Sequence, residues 1–496
     1  MPPRRAASIT RMPHRGVAAL LLVLLLGPGS GCTQDARRPN VVLIVLDTVR
    51  ADRIACGTDS RGLTPNLDAL CARSVVFTNV SSTSSWTLPA HASLFTGLYP
   101  LQHGATQEHT RLDEGAVTLA ELLGARGYKS FGVSANPVVS VKSGLARGFD
   151  EFVETWRKRR AVAHPGAAEH ANYRAVAGLL GGLTAAEPFF LFVNYIEAHG
   201  PYDPPEPHRT RALADGTDHG LLERARTRGA RGHYLDTTAI SAKEFAVLGD
   251  LYDGEIAYLD ELVGGLLDSL EANGHLANSV VIVTSDHGEN LGDHGHFRHV
   301  FSLYGSTVRV PLLIRLPDDR RAGEVRSEPV GLLDVFASVL ALTGTSAPAG
   351  TSGRDLFGPA ATPPAPLIAE YYYPLQALGL FRSDASEALP PQVTPHLRRL
   401  RSIELDGLRY IWSSDGSHEL YNVAADPAEL RNLRGDARFA EAEARLHERL
   451  DAFVADGGGP HPLPAGARTP GELGGAFEDL DPESAELLKT LGYLPR

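Results

Sequence analysis

The chain has 496 residues and a net charge of −12, from 47 basic and 59 acidic side chains. This length exceeds a single ordinary core and predicts one large and one smaller domain. The acidic balance argues against nucleic-acid binding, because the average surface repels phosphates, but an anionic substrate stays compatible, since a bound metal ion can reverse the local field.

The first 32 residues have the pattern of an export signal. Four arginines precede an apolar run, Val17–Leu26, that is too short to span a membrane as a helix. Small residues then lead to Cys32, as in a bacterial lipoprotein signal that ends in a lipidated cysteine. An ordinary cleaved signal that is cut near Gly31 is the alternative. We therefore expect a protein of the periplasm or outer membrane, with a lipid anchor to the membrane if Cys32 is modified.

Apolar runs and helical segments alternate along residues 38–357, which predicts the larger domain. The first run, "NVVLIVLD" at Asn40–Asp47, is apolar at nearly every position, as in a strand that is buried on both faces. Similar runs lie near Phe131, at Pro188–Tyr195, at Ser279–Asp286 and at Val308–Leu316. Together with the helical segments between them, they predict an α/β fold with a large, mostly parallel sheet between layers of helices.

Residues 358–496 predict a smaller C-terminal α+β domain. A segment rich in Pro, Gly, Ala and Thr, Ala347–Pro366, is typical of a linker or surface loop. Beyond it, alternating residues with Asp-Gly turns predict a short antiparallel sheet, and Arg438–Val454 predicts a charged helix. In the larger domain, Cys56 and Cys71 either pair in a disulfide or stay as two buried thiols.

Metal-binding side chains follow three of the apolar runs. Asp47 ends the first run, His199 comes shortly after the run at Pro188–Tyr195, and Asp286 with His287 follows the run that begins at Ser279. The carboxyl ends of parallel strands meet at one edge of a sheet, so these residues are expected to lie together. Carboxylate and imidazole ligands in the segment 285–299, which also holds His299, favour a divalent cation.

Six segments in order resemble the sulfatase branch of the alkaline phosphatase superfamily. They are "RPNVVLIVLDTVRADRIACG", "TPNLDALCARSVVFTNV", "TLPAHASLFTGLYP", "FLFVNYIEAHGPY", "SDHGENLGDHGHF" and "LYGSTVRVPLLIRLP". The later "ELYNVAADPAELRNL" is similar to the small C-terminal domain of the same family. The resemblance implies an ester hydrolase with one divalent metal ion.

The resemblance also assigns roles to single residues. Asp47, Asp286 and His287 match metal ligands, His199 matches the histidine near the leaving group, and His299 falls near a substrate-binding lysine. Thr48 stands where the family usually has a second aspartate, and an imidazole stands at position 287. This exchange of an oxygen ligand for a nitrogen ligand favours Mn²⁺ or Zn²⁺, with Ca²⁺ as a further candidate.

Two exchanges in "TLPAHASLFT" separate this chain from a typical sulfatase. Thr87 stands where the family oxidises Cys or Ser to formylglycine, and His91 stands where it has Arg. We therefore predict that Thr87 is both a metal ligand and a metal-activated nucleophile, with His199, His299 and His91 as further catalytic candidates. A plain helix N-cap is the structural alternative for Thr87. For His91, packing against the sheet is as plausible as facing the site.

The predicted function is hydrolysis of sulfate, phosphate or phosphonate esters, with phosphorus esters favoured because an unmodified threonine cannot expel sulfate through an aldehyde. One alternative is a transferase that moves a phospho-headgroup onto an alcohol of the cell envelope. Another is a binding protein for sulfated glycans without turnover. The expected partner is an anionic ester substrate, and the sequence does not fix the oligomeric state.

Overall fold

The computed structural model describes residues 38–54, 56, 61–158, 165–184, 187–235, 239–359, 365–374, 377, 381, 389–457, 485–486 and 488–489. The predicted export signal and Cys32 lie outside the described residues, so export and lipidation stay predictions. Residues 38–496 form one unit by their internal contacts. The predicted boundary between residues 357 and 358 stays a prediction as well.

The described part of the chain contains the following strands and helices. The strands are β1 (Asn40–Leu46), β2 (Val75–Phe77), β3 (Val80–Ser81), β4 (Lys129–Ser134), β5 (Glu151–Glu154), β6 (Phe189–Tyr195), β7 (Ser279–Thr284), β8 (Leu312–Arg315), β9 (Val325–Arg326), β10 (Val330–Gly331), β11 (Leu367–Tyr371), β12 (Leu400–Leu405), β13 (Leu408–Ser413) and β14 (Glu419–Asn422). The helices are α1 (Pro65–Ala72), α2 (Thr87–Thr96), α3 (Pro100–His103), α4 (Leu119–Ala125), α5 (Ala171–Leu180), α6 (His208–Ala212), α7 (His219–Arg226), α8 (Ala230–Tyr234), α9 (Ala242–Ala272), α10 (Gly305–Val308), α11 (Leu333–Leu342) and α12 (Ala440–Asp456).

An eight-stranded sheet forms the centre of the fold, in the order β5-β4-β6-β1-β7-β8-β2-β9. Strand β1 pairs in parallel with β6 on one side and β7 on the other, and all its residues are buried. A strand between two parallel neighbours has both faces covered, which explains its unbroken apolar sequence. The predicted α/β class with a large, mostly parallel sheet is confirmed.

Strand β8 runs antiparallel to both of its neighbours, β7 and β2. The apolar run at Val308–Leu316 predicted this strand, but an apolar run carries no information about strand direction. The longest helix, α9, begins after Ser241, whose side chain forms a capping box with Glu244. It ends before Gly274, whose φ of +72° is the left-handed conformation that closes a helix.

The predicted small antiparallel sheet is also confirmed, with the strand order β11-β12-β13-β14. Its apolar face packs on α12 and forms a second core, which includes Ile403, Leu420 and Leu446. In the large unit, Cys56 and Cys71 are joined in a disulfide, which decides between the two sequence alternatives. Within the described residues, no helix combines the length and hydropathy that a membrane span requires.

Candidate metal centre and active site

Strands β1 and β7 place two carboxylates side by side. Val45 of β1 is paired with Thr284 of β7. Asp47 and Asp286 each follow two residues later, so the register that aligns the strands also aligns the two aspartates. Both side chains are fully buried.

The Asp47 carboxylate has one partnered and one unpartnered oxygen. The Asn136 amide donates to Oδ2 at 2.7 Å. No described residue donates to Oδ1. Burial, together with the nearby charge of Asp286, raises the pKa of Asp47 to about 8. Asn136 therefore orients Asp47.

Asp286 repeats the same arrangement. Its Oδ1 accepts hydrogen bonds from the backbone amides of Thr48 at 3.2 Å and His287 at 2.9 Å. No described residue donates to Oδ2. Burial raises the pKa of Asp286 to about 7. Two buried acids that each keep an unpartnered oxygen are costly without a cation, because an unsatisfied buried acceptor loses its hydration.

The His287 imidazole completes a group of three possible metal ligands. Its Nδ1 lies 3.0 Å from the carbonyl of Gly288, which can only accept, so Nδ1 carries the proton. The lone pair of Nε2 then faces Asp286 Oδ2 at 3.3 Å. One ligand atom each from Asp47, Asp286 and His287 lies within 4.8 Å of the others. Two carboxylates and an imidazole oriented by a carbonyl fit a divalent metal ion.

Thr87 lies directly beside this group. Its Oγ1 is 3.2 Å from His287 Nε2. Thr87 is the first residue of α2, and the N-cap position belongs to Trp86, which makes no side-chain capping hydrogen bond. The alternative in which Thr87 is a plain N-cap is therefore wrong. The start of α2 also presents its N-terminal amides to this edge of the sheet, where an anion is favoured.

His91 lies one turn further along α2 and is fully buried. Its Nδ1 contacts the carbonyl of Thr87 at 2.9 Å and lies 3.5 Å from Asp286 Oδ2. Its ring also packs edge-on against Phe95 and Phe192. Burial lowers the pKa of His91 to about 3, so the ring is neutral and does not replace the positive charge of an arginine. Both alternatives for His91 thus hold in part.

His199 and His299 form a pair next to the metal ligands. Their Nε2 atoms lie 3.1 Å apart, and the His299 ring stacks on His287. Each Nδ1 contacts a backbone carbonyl, that of Gly200 for His199 and that of Ser85 for His299. Both Nδ1 atoms are therefore donors, and two Nε2 lone pairs face each other. This arrangement favours either a proton that the two Nε2 atoms share or a ligand that donates a hydrogen bond to them.

The remaining histidines of segment 285–299 lie in other contacts. His294 stacks on Tyr304 at 3.7 Å, and His296 contacts the Tyr234 hydroxyl at 3.3 Å. Arg50 and Arg53 form ion pairs with aspartates.

Three residues near the site were missed by sequence reasoning. The Trp86 ring lies 4.9 Å from the His299 ring. Glu289 accepts a hydrogen bond from the Tyr202 hydroxyl at 2.9 Å, and burial raises the pKa of Glu289 to about 8. Arg298 directly precedes His299. No local pattern marks Trp86 or Arg298, whereas the acidic side chain of Glu289 inside the histidine-rich segment was a usable signal.

The C-terminal sheet holds the loop that precedes Thr87. The backbone amide of Glu370, in β11, donates to the carbonyl of Thr83 at 2.8 Å, and Ser84 Oγ donates to the carbonyl of Glu370 at 2.7 Å. The Glu370 carboxylate accepts from the amide of Leu101 at 2.9 Å. These bonds join the small sheet to the segment before α2 and to α3, the helix that follows α2.

Comparisons with known proteins identify relatives that span most of the chain. A protein of Trinickia caryophylli described as a multifunctional alkaline phosphatase superfamily protein is 26% identical over 480 residues, which cover 81% of this chain and 92% of that protein. An uncharacterised sulfatase of Escherichia coli is 25% identical over 84% of this chain and 86% of its own length. The crystal structure of a phosphonate monoester hydrolase of Agrobacterium radiobacter superposes with a TM-score of 0.68 at 22% identity, over 85% of this chain and 96% of that one.

The sulfatase family model matches residues 39–345, which is more than half of the chain. This match begins just before β1 and ends just after α11, so it includes every residue that we predicted for the site. It confirms the resemblance seen in the sequence and the ester-hydrolase class that goes with it. The chain belongs to the sulfatase family.

Proposed function

We propose that this protein is a metal-dependent hydrolase that uses unmodified Thr87 as its nucleophile and prefers phosphorus esters to sulfate esters. The observation that carries the proposal is the convergence of the Thr87 hydroxyl with Asp47, Asp286 and His287. A family relative that is described as multifunctional is compatible with chemistry beyond sulfate.

Asp47, Asp286, His287 and Thr87 would hold one divalent ion, with Mn²⁺ or Zn²⁺ favoured by the nitrogen ligand and Ca²⁺ as a further candidate. Such an ion lowers the pKa of a bound hydroxyl and neutralises an oxygen of an anionic substrate. The two unpartnered carboxylate oxygens supply the negative charge that such an ion requires.

The chain's own residues then carry the reaction. The Thr87 hydroxyl loses its proton to solvent, and its oxygen attacks phosphorus in line, so that a bond to Thr87 forms while the bond to the leaving oxygen breaks. The leaving oxygen takes a proton that the His199–His299 pair accepts from solvent and shares between its two Nε2 atoms. Water then hydrolyses the ester on Thr87 and restores the hydroxyl. The neutral His91 holds the first turn of α2 in position through the carbonyl of Thr87.

The preference for phosphorus follows from the chemistry of position 87. A formylglycine hydrate expels sulfate by collapsing to an aldehyde, whereas an ester on threonine has no such route and must be attacked by water. His91 does not supply the fixed fork of donors that an arginine offers to an oxyanion. Both features weaken sulfate turnover. A two-step transfer of a phosphoryl or phosphonyl group does not depend on either of them.

A comparison of matched esters tests the proposal. The full-length protein, loaded with Mn²⁺ or Zn²⁺, should cleave a nitrophenyl phosphonate or phosphodiester faster than nitrophenyl sulfate. Thr87→Ala should lower kcat on the order of 10³-fold or more with an unchanged circular dichroism spectrum, and Thr87→Ser should retain activity. An intact mass should show an unmodified residue 87.

Three outcomes would contradict the proposal. Faster sulfate turnover would overturn the role of Thr87. Hydrolysis that stays slow until an alcohol is added would identify a transferase. Metal binding without turnover of any ester would identify a binding protein.

A further inference from the structure

Arg298 occupies a fixed position next to the histidine pair. Its backbone has a φ of +70°, a left-handed conformation that few residues other than glycine adopt. The loop holds this conformation through backbone hydrogen bonds in both directions between Arg298 and Asn290, and the Asn290 side chain donates to the Arg298 carbonyl at 2.7 Å. Strained backbone of this kind persists where the surrounding structure enforces it and often accompanies function.

The Arg298 guanidinium lies against the backbone next to His199. A methyl group built on Gly200 would meet the guanidinium directly, with Arg298 Cζ only 2.3 Å away. The rings of Tyr202 and Phe297 lie on either flank, each 5.4 Å from Cζ. The Gly200 carbonyl is also the partner of His199 Nδ1. The guanidinium therefore contacts the residue that follows His199 in the chain, and Arg298 itself directly precedes His299.

The guanidinium is charged but incompletely satisfied. Arg298 Nη1 is buried and has no hydrogen-bond partner among the described residues. The nearby Glu289 makes its hydrogen bond with Tyr202, and no ion pair or hydrogen bond joins Glu289 to Arg298 in the described part of the chain. An unpaired buried donor on a cation is unfavourable unless a ligand completes it. The complementary ligand is an oxyanion, which a guanidinium binds with two parallel hydrogen bonds.

The position of Arg298 indicates which part of a substrate it contacts. The candidate ligand His287 stacks on His299, and Thr87 Oγ1 lies 3.2 Å from His287 Nε2. Arg298 lies against Gly200, whose carbonyl is the partner of His199 Nδ1. A group that contacts His199 and His299 through its leaving oxygen therefore extends toward Arg298 with the rest of its leaving alcohol.

We propose that Arg298 forms a second anion subsite, which selects esters whose leaving alcohol carries a carboxylate, sulfate or phosphate group of its own. This inference rests on the proposed function, because it assigns His199 and His299 to the leaving-group side. It makes Arg298 a specificity-determining residue that binds the substrate away from the reacting bond.

Two esters that differ in one charge test this subsite. 4-Carboxyphenyl and 4-carbamoylphenyl methylphosphonate have leaving groups of the same size, and only the first carries an anion. We expect Arg298→Gln to lower kcat/KM for the carboxy ester by about 10- to 100-fold relative to the carbamoyl ester, mostly through KM, as for loss of a charged hydrogen bond. Arg298→Lys should retain part of the preference, because it keeps the charge without the fork.

Arg438→Gln is the matched control, because Arg438 is an exposed arginine of the C-terminal region whose ion-pair partner is Asp436. It should leave the ratio of the two esters unchanged. Circular dichroism of each variant verifies the fold. An equal loss for both esters in Arg298→Gln would overturn the inference, because Arg298 would then act on the transferred group or on the fold. A wild-type protein without preference for the carboxy ester would also overturn it.

A binding measurement separates this inference from the proposed function. Calorimetry with 4-hydroxybenzoate and 4-hydroxybenzamide needs no turnover. Tighter binding of the benzoate to wild type than to Arg298→Gln supports the subsite even if neither phosphonate is cleaved and the proposed function fails. Equal binding of both compounds to both proteins, with phosphonate cleavage intact, overturns the subsite and leaves the proposed function standing.

Discussion

Replacement of Asp47 by Asn should stabilise the metal-free protein. The Asp47 carboxyl has a pKa of about 8 in the folded chain against an ordinary value of 3.8. The folded state holds this proton up to about pH 8, whereas the unfolded chain releases it near its ordinary pKa. The stability of the metal-free protein therefore falls as the pH rises between these two values, by up to about 5 kcal/mol at pH 7.5.

Asn at position 47 removes this cost and keeps an oxygen that accepts from Asn136. Urea unfolding of EDTA-treated proteins at pH 7.5 should show the variant on the order of 3–5 kcal/mol more stable than wild type, with a flatter pH profile. Excess Mn²⁺ or Zn²⁺ should narrow this difference, because the ion stabilises wild type by about 3 kcal/mol at a concentration of 100 Kd, whereas the variant has lost a ligand.

Glu244→Gln is a control of opposite sign, because the Glu244 carboxylate pairs with Arg228 at 2.6 Å and caps α9. Its loss should destabilise the protein with or without metal. The reasoning about Asp47 would be refuted if the metal-free variant were no more stable than wild type. It would also be refuted if the ion stabilised both proteins equally.

Two further predictions concern stability away from the metal centre. Burial raises the pKa of Glu255 to about 8, with the charges of Glu197 and Asp203 close by, so Glu255→Gln should remove a fall in stability between about pH 4.5 and pH 8 in denaturation curves. Persistence of that fall in the variant would show that Glu255 does not cause it. The disulfide between Cys56 and Cys71 closes a span of 15 residues, so Cys71→Ser should lower the free energy of unfolding by about 3 kcal/mol, and a reductant should lower wild type equally but leave the variant unchanged.

Much of the large sheet was predictable, because parallel strands with both faces covered have distinctive apolar sequences. β1, β6 and β7 are of this kind, and polar residues at their carboxyl ends led directly to Asp47 and Asp286. Strand direction at β8 was not predictable, since it depends on how the chain returns to the sheet. β11 begins just past the segment that was predicted as a linker, and only its pairing with β12 defines it.

The candidate site was predictable where a residue follows a strand and less so where it depends on loops. The pairing of His199 with His299 joins residues 100 positions apart through side-chain nitrogens, and no local pattern encodes it. Arg298 was missed because the sequence shows neither its left-handed backbone nor its close contact with Gly200, which has no side chain. Trp86 was missed because a tryptophan is an ordinary core residue, and its position before the candidate nucleophile does not by itself indicate a role in the site.

The bonds between β11 and the residues ahead of Thr87 have a practical consequence for protein engineering. A shortened chain that stops near residue 357 would keep every candidate ligand but lose the Glu370 bonds to Thr83 and Ser84. Exchange of C-terminal segments between relatives would disturb the same hydrogen bonds. Chimeras of this protein should therefore transfer the small sheet and the segment around residues 83–101 together, as one module.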